Sequence, residues 1–180
     1  MRLVTLLYAG TPKASLAKLG EKVERIVMGN QQRSLSTDFA AGLIVGEGCF
    51  YVAEGRRKGQ KWTRFIPGFA ISMADKITMN LFIEYAKANN LPLYVQIKTP
   101  VKGRKEQLRI HVVGLGRTKK WVDHFIPYLT GDKLLAAESV QLFIESRLSK
   151  PGRPPYTEEE LSFINASRLV NFGKPLRDYM

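Results

Sequence analysis

Residues 40–48 read AAGLIVGEG and continue directly into CFYVAE at residues 49–54. The first segment is short, apolar and rich in small residues, and Ser36-Thr37-Asp38 before it is typical of a helix N-cap. The second segment is rich in aromatic and β-branched residues, which favour strands. The pattern therefore predicts a helix over Phe39–Val45 that ends at Gly46-Glu47-Gly48 and is followed at once by a strand.

The rest of the chain predicts further hairpins and helices. We expect strands over Trp62–Met73, Leu93–Lys98 and Gln107–Val113, and helices over Ala14–Met28, Asp75–Asn89, Arg117–Tyr128, Lys133–Leu148 and Glu158–Val170. This order predicts an α+β fold in which helices cover one face of a four-stranded antiparallel sheet, with extra helices at both ends. It also predicts three parts: a basic extension over 1–35, a core over 36–150, and a linker with a helix over 151–180.

The charge of the chain points to a polyanionic partner. Its 180 residues include 28 Lys and Arg and 16 Asp and Glu, which gives a net charge of +12. The apolar content of 44% is sufficient for a hydrophobic core. Nucleic acid is the first expectation and an anionic membrane the second. No apolar run approaches the roughly 20 residues of a membrane span. The single Cys49 excludes an intramolecular disulfide and a multi-cysteine zinc site.

The basic residues concentrate on the two predicted hairpins. Ten of the 28 lie there: Arg56, Arg57, Lys58, Lys61, Arg64, Lys98, Lys102, Arg104, Lys105 and Arg109. Strand alternation directs Phe50 and Val52 to the core and other residues to the opposite face. That face would carry Tyr51, Gln96, Lys98, Gln107, Arg109 and His111. Because a two-stranded ribbon fits the major groove and Gln and Arg can bond base edges, we predict a DNA-binding face. The alternative is that the basic hairpins are merely solvated.

The predicted helix before the first strand can bring two copies of the chain together. Small residues along it, including Gly42 and Gly46, allow another backbone to approach closely, and we expect Ala41, Gly42 and Val45 at a dimer interface. The helix ends on one carboxylate, Glu47. Two such carboxylates repel each other unless a divalent cation lies between or beside them, and oxygen ligands with a phosphodiester substrate suit Mg²⁺. The alternative is an ordinary glycine-rich helix end with an exposed glutamate.

The segment AAGLIVGEG resembles the LAGLIDADG signature of the homing endonucleases. The resemblance extends through the order of helices and hairpins over residues 36–150. It implies a Mg²⁺-dependent enzyme that cleaves double-stranded DNA at a long pseudo-palindromic site during intron homing, and the single motif implies a homodimer. It also implies that Glu47 and the carbonyl of Gly46 bind the metal, and that Lys133 stabilises charge on the phosphate. Lys76 is a weaker candidate for that role.

The chain departs from the family pattern at two positions. Met73 stands where the family often has glutamine, and a thioether cannot orient a water as an amide does, so we expect weaker cleavage but not weaker binding. In the family a basic residue follows a Pro-aromatic-Leu segment, which here is Pro127-Tyr128-Leu129, and Lys133 lies one residue away from the expected position. The alternative to a catalytic role is that Lys133 is a solvated lysine in the first turn of a helix.

Two other functions fit the same sequence. One is an RNA splicing maturase of the same fold, with intron RNA as partner, and the other is a non-catalytic DNA-binding protein. The source compartment stays open between a prokaryotic cytoplasm, a chloroplast and a mitochondrion, and no membrane partner is expected.

Overall fold

The computed structural model describes residues 34–55, 63–99, 105–152 and 154–173. The chain separates into two compact units, residues 1–34 and 35–180, and every helix and strand of the described ranges belongs to the second. The helix predicted over Ala14–Met28 lies outside the described residues. The three-part division of the sequence remains a prediction.

The described ranges contain five α-helices, one 3₁₀ helix and four strands, and they confirm the predicted α+β class. In chain order these are α1 (Thr37–Glu47), β1 (Gly48–Gly55), β2 (Arg64–Met73), α2 (Lys76–Ala88), β3 (Tyr94–Lys98), β4 (Gln107–Val113), α3 (Leu115–Phe125), the 3₁₀ helix (Ile126–Tyr128), α4 (Gly131–Leu148) and α5 (Glu158–Phe172). In the same ranges no helix has both the length and the apolar character that a membrane span requires.

Side-chain caps define the starts of the first two helices, and the first cap lies in the Ser36-Thr37-Asp38 segment that the sequence predicts. The hydroxyl of Ser36 accepts a hydrogen bond from the N–H of Phe39 at 3.2 Å and begins α1. The carboxylate of Asp75 accepts from the N–H groups of Ile77 and Thr78 and begins α2. Each cap satisfies a main-chain donor that has no partner within the helix.

The four strands form one antiparallel sheet in the order β1-β2-β4-β3. β1 and β2 pair residue for residue along the whole of β1, with no bulge at Pro67 and Gly68. A Cβ atom on Gly68 would lie 2.7 Å from Cζ of Tyr51. The glycine is therefore explained by the close approach of a tyrosine ring from the neighbouring strand.

The core lies between one face of the sheet and the helices. Phe50 and Val52 of β1 are buried there, as alternation predicts. Phe69 of β2 stacks on Trp121 of α3 with ring centroids 4.5 Å apart. The Trp121 Nε1–H donates to the carbonyl of Pro92 at 2.6 Å, so the indole is satisfied although it is buried. Because the helices pack on this face, the alternate residues of each strand lie on the opposite one.

Candidate nucleic-acid interface and cleavage site

Glu47 is the last residue of α1 and its side chain is exposed. The N–H of Gly48 donates to the carbonyl of Ile44 and ends the helix. A Cβ atom on Gly48 would lie 2.9 Å from Cα, Cγ2 and the carbonyl oxygen of Ile44. Only a glycine therefore allows the helix to pass directly into β1, and this junction sets the main-chain position of Glu47.

Lys133 lies beside that junction. Its Nζ donates a hydrogen bond to the carbonyl oxygen of Gly48 at 2.6 Å, from the first turn of α4. Lys133 is therefore not a freely solvated lysine. The weaker candidate, Lys76, forms an ion pair with the exposed Glu106. Met73 packs against the apolar core.

A single copy of the chain offers few metal ligands. Within the described ranges, no three His, Cys, Asp or Glu side chains lie together as a metal site would require. The donors near the junction are the Glu47 carboxylate and main-chain carbonyls such as that of Gly46. Mg²⁺ takes octahedral oxygen ligands and often completes them with water and substrate phosphates. These oxygen donors suit part of such a site, and the remaining ligands would be water, DNA phosphates or groups of a second copy.

Cys49 and Tyr51 follow Glu47 on the face of β1 that is opposite the core. Burial raises the pKa of the Cys49 thiol, and the charge of Lys133 opposes this in part. Burial also raises the pKa of Tyr51. The positive charge of Arg109 opposes this increase in part, and the neighbouring Cys49 adds a smaller increase. Both side chains are therefore neutral near pH 7. A neutral, partly buried thiol is a poor nucleophile, so we do not expect Cys49 to be reactive.

The open face of the sheet brings together the predicted DNA-binding residues that the structure describes. They are Tyr51, Arg64, Gln96, Lys98, Gln107, Arg109 and His111. Gln96 pairs with Arg109 and Lys98 with Gln107 across β3 and β4. Among the described positions of this face there is no Asp or Glu, so its charged groups are all positive. Lys105 is exposed just before β4. Six further predicted residues lie outside the described ranges: Arg56, Arg57, Lys58, Lys61, Lys102 and Arg104.

Two residues that the sequence prediction missed belong to this face. Tyr94 lies two residues before Gln96 and stacks on His111 with ring centroids 5.8 Å apart. The Arg117 Nη1 donates to the hydroxyl of Tyr94 at 2.8 Å. Strand alternation predicts Tyr94 on this face when it is continued from Gln96 to the residue two positions earlier in β3. No local pattern reveals Arg117, because it reaches the strand from the first turn of α3.

Two nitrogen atoms on the same face have no partner. Within the described part of the chain, neither Nε of Arg109 nor Nδ1 of His111 makes a hydrogen bond, although both atoms are buried. Buried polar groups are normally paired, so such atoms call for an explanation.

The predicted dimer residues divide between two sides of α1. Phe39 is 53% and Val45 37% exposed, and Gly42 and Gly46 are exposed on the same side of the helix. A Cβ atom at either glycine would meet nothing within 4 Å. Ala41 is only 2% exposed and packs in the core of its own chain, because it lies on the inward side. The exposed apolar strip is therefore formed by Phe39, Gly42, Val45 and Gly46.

Solved homing endonucleases have similar structures. The homing endonuclease I-TnaI is 22% identical with a TM-score of 0.57, and the match covers 79% of this chain and 92% of that one. I-CvuI in complex with its target in the presence of calcium is 13% identical with a TM-score of 0.54, over 80% of this chain and 85% of that one. The LAGLIDADG homing endonuclease I-SmaMI bound to cleaved DNA is 18% identical with a TM-score of 0.59, over 80% and 46%. No protein-family profile and no curated protein matches the sequence.

Proposed function

We propose that this chain, whose fold is that of the LAGLIDADG homing endonucleases, is a site-specific endonuclease that cleaves double-stranded DNA in intron homing. One observation carries the proposal: the exposed Glu47 carboxylate lies at the start of β1, and β1 belongs to a sheet face whose described charges are all positive. The structures of I-CvuI in complex with its target and of I-SmaMI bound to cleaved DNA support it.

The open face supplies the means to bind DNA. Arg64, Lys98 and Arg109 can neutralise phosphates, and Gln96 and Gln107 can bond base edges. Nε of Arg109 and Nδ1 of His111 are buried, so DNA on this face would pair with them only after the two side chains shift. These contacts position the phosphodiester bond relative to the Glu47 carboxylate.

Glu47 and the carbonyl of Gly46 are the donors that would hold a divalent cation. I-CvuI was solved with DNA in the presence of calcium and, with the DNA not cleaved, in the presence of magnesium. These structures support the binding of a divalent cation, and we propose Mg²⁺ for this chain. When bound, the ion supplies Lewis acidity and lowers the pKa of water. We propose that the ammonium group of Lys133, which donates to the Gly48 carbonyl at 2.6 Å, stabilises charge that develops on the phosphate. Met73 offers no hydrogen bond to orient a water, so we expect slow cleavage.

A homodimer would complete this site. An exposed, apolar and glycine-containing strip on α1 is unusual for a helix that faces water only. Packing two copies of α1 along Phe39, Gly42, Val45 and Gly46 would bring two Glu47 carboxylates together at the ends of the helices. The match covers nearly all of I-TnaI but less than half of I-SmaMI, so the longer protein has room for a second unit of this size.

Selection from a DNA library tests the proposal. The purified chain is incubated with random duplexes in Ca²⁺ to select bound sites, and the selected duplexes are then treated with Mg²⁺. We expect a double-strand break at one position of a pseudo-palindromic site. Tight binding of the selected DNA without cleavage at any Mg²⁺ concentration would contradict the proposal and favour a non-catalytic DNA-binding protein. Preferential binding of an intron RNA with faster splicing would favour the maturase.

A further inference from the structure

Two side chains bind the outer edge of β1 immediately after Glu47. β1 is an edge strand, and an edge exposes main-chain groups that have no partner in the sheet. The carbonyls of alternate residues point to the same edge. Lys133 of α4 donates to the first of them, that of Gly48, at 2.6 Å. Asn171 of α5 donates to the next, that of Phe50, also at 2.6 Å.

The Asn171 amide forms hydrogen bonds at both of its ends. Besides the Phe50 carbonyl, its Nδ2 group donates to the carbonyl of Ser167 at 2.8 Å, one turn back in α5. Its Oδ1 accepts from the Sγ of Cys49 at 3.1 Å. One asparagine therefore connects α5 to two successive residues of β1 and is held in place by its own helix.

The other end of α5 is fixed independently. Thr157 and Glu160 form a capping box there, with the Glu160 carboxylate accepting from the N–H of Thr157 at 2.9 Å. Glu160 is fully buried and also pairs with Lys150 at 3.0 Å and with Arg147 at 3.4 Å. A helix anchored at its start gives Asn171 a defined position from which to hold the strand.

The junction between α1 and β1 transmits this constraint. Gly48 contacts Ile44 so closely that no Cβ atom fits between them, and Glu47 is the preceding residue. A displacement of Cys49 and Phe50 must therefore move the end of α1. Small displacements of reacting groups are costly, since about 1 Å can reduce a rate 100-fold.

We propose that Asn171 is a positioning residue for the Glu47 carboxylate: by holding the edge of β1 from α5, it fixes the direction in which Glu47 leaves α1. The inference rests on the proposed function, in which Glu47 takes part in cleavage. In this proposal Asn171 has no direct contact with the DNA or the metal. It acts through Cys49, Phe50 and Gly48.

Single-turnover cleavage of the selected DNA by two variants tests the proposal. Asn171→Ala removes all three hydrogen bonds, and Asn171→Asp keeps the size but replaces the donors with acceptors. With the enzyme saturating, we expect the rate constant to fall roughly 10- to 100-fold in both, with the Kd for DNA in Ca²⁺ changed less than about 3-fold. The matched control is Asn89→Ala, which loses one amide donor to the Tyr85 carbonyl at the end of α2 and should cleave as the wild type does.

Hydrogen exchange without DNA gives a second measurement that does not depend on cleavage. In Asn171→Ala the peptide covering residues 47–53 should exchange faster, whereas the peptide covering 107–113 should not change. Cleavage and exchange equal to those of the wild type would overturn the positioning role. A loss of DNA binding that parallels the loss of cleavage would also overturn the positioning role, because that result indicates general unfolding. A wild-type chain that cleaves no selected DNA refutes the proposed function itself.

Discussion

The substitution Gly48→Ala perturbs the junction that holds Glu47, and the packing around Gly48 sets its cost. The added Cβ would lie 2.9 Å from three atoms of Ile44, two of which belong to the main chain. Ile44 is fully buried and cannot move away without disturbing the core. Overpacking of this kind costs about 1–3 kcal/mol. Gly48 has φ −87°, so the cost is steric and does not come from backbone strain.

Thermal unfolding followed by circular dichroism measures this effect. For a unit of this size each kcal/mol shifts Tm by about 3 °C, so we expect a decrease of about 3–9 °C. Gly116→Ala is the matched control, because a Cβ at this position in the first turn of α3 would meet nothing within 4 Å. Alanine favours helix over glycine by up to about 1 kcal/mol, so the control should be neutral or stabilised. Equal Tm values for Gly48→Ala and wild type would refute the close packing of α1 on β1.

Three further predictions concern assembly, DNA binding and pH. Val45→Lys places a charge on the exposed strip of α1 and should convert a dimer to a monomer in sedimentation experiments, with the far-ultraviolet spectrum unchanged. Arg109→Gln should reduce by about 1 the slope of log K for DNA against log salt concentration, and an unchanged slope would mean that Arg109 contacts no phosphate. Burial lowers the pKa of His124, whose Nε2 lies 2.6 Å from the hydroxyl of Tyr85. The unfolded chain therefore takes up the proton first, and stability should fall as the pH drops below about 6.5. His124→Gln should make Tm less dependent on pH in that range.

Local patterns were sufficient for the order of the elements and for the two faces of the sheet. Alternation in β1 separates Phe50 and Val52 from Tyr51 because each strand residue points opposite to its neighbours. The position of Glu47 at a helix end also follows from the sequence, since glycines flank it. These features depend on a few neighbouring residues, and the fold confirms them.

Features that depend on tertiary contacts could not be predicted. Asn171 and Cys49 are 122 positions apart, and no spacing rule connects them. Arg117 belongs to a helix and reaches the open face only because α3 begins beside Tyr94. The sequence analysis placed Ala41 together with Gly42 and Val45 at a dimer interface, because nearly every position of α1 is apolar or small and no local pattern separates its two sides. Packing against the core then decides that Ala41 points inward and Gly42 outward.

The role proposed for Glu47 is tested most sharply by the cleavage rate of Glu47→Gln on the selected DNA in Mg²⁺. The substitution preserves size and one oxygen acceptor but removes the negative charge that would hold the cation. We predict that Glu47→Gln binds the DNA with unchanged affinity and makes no double-strand break under conditions in which the wild type cleaves. Cleavage by Glu47→Gln at the wild-type rate would contradict this role, because the exposed carboxylate at the end of α1 would then have no part in the reaction.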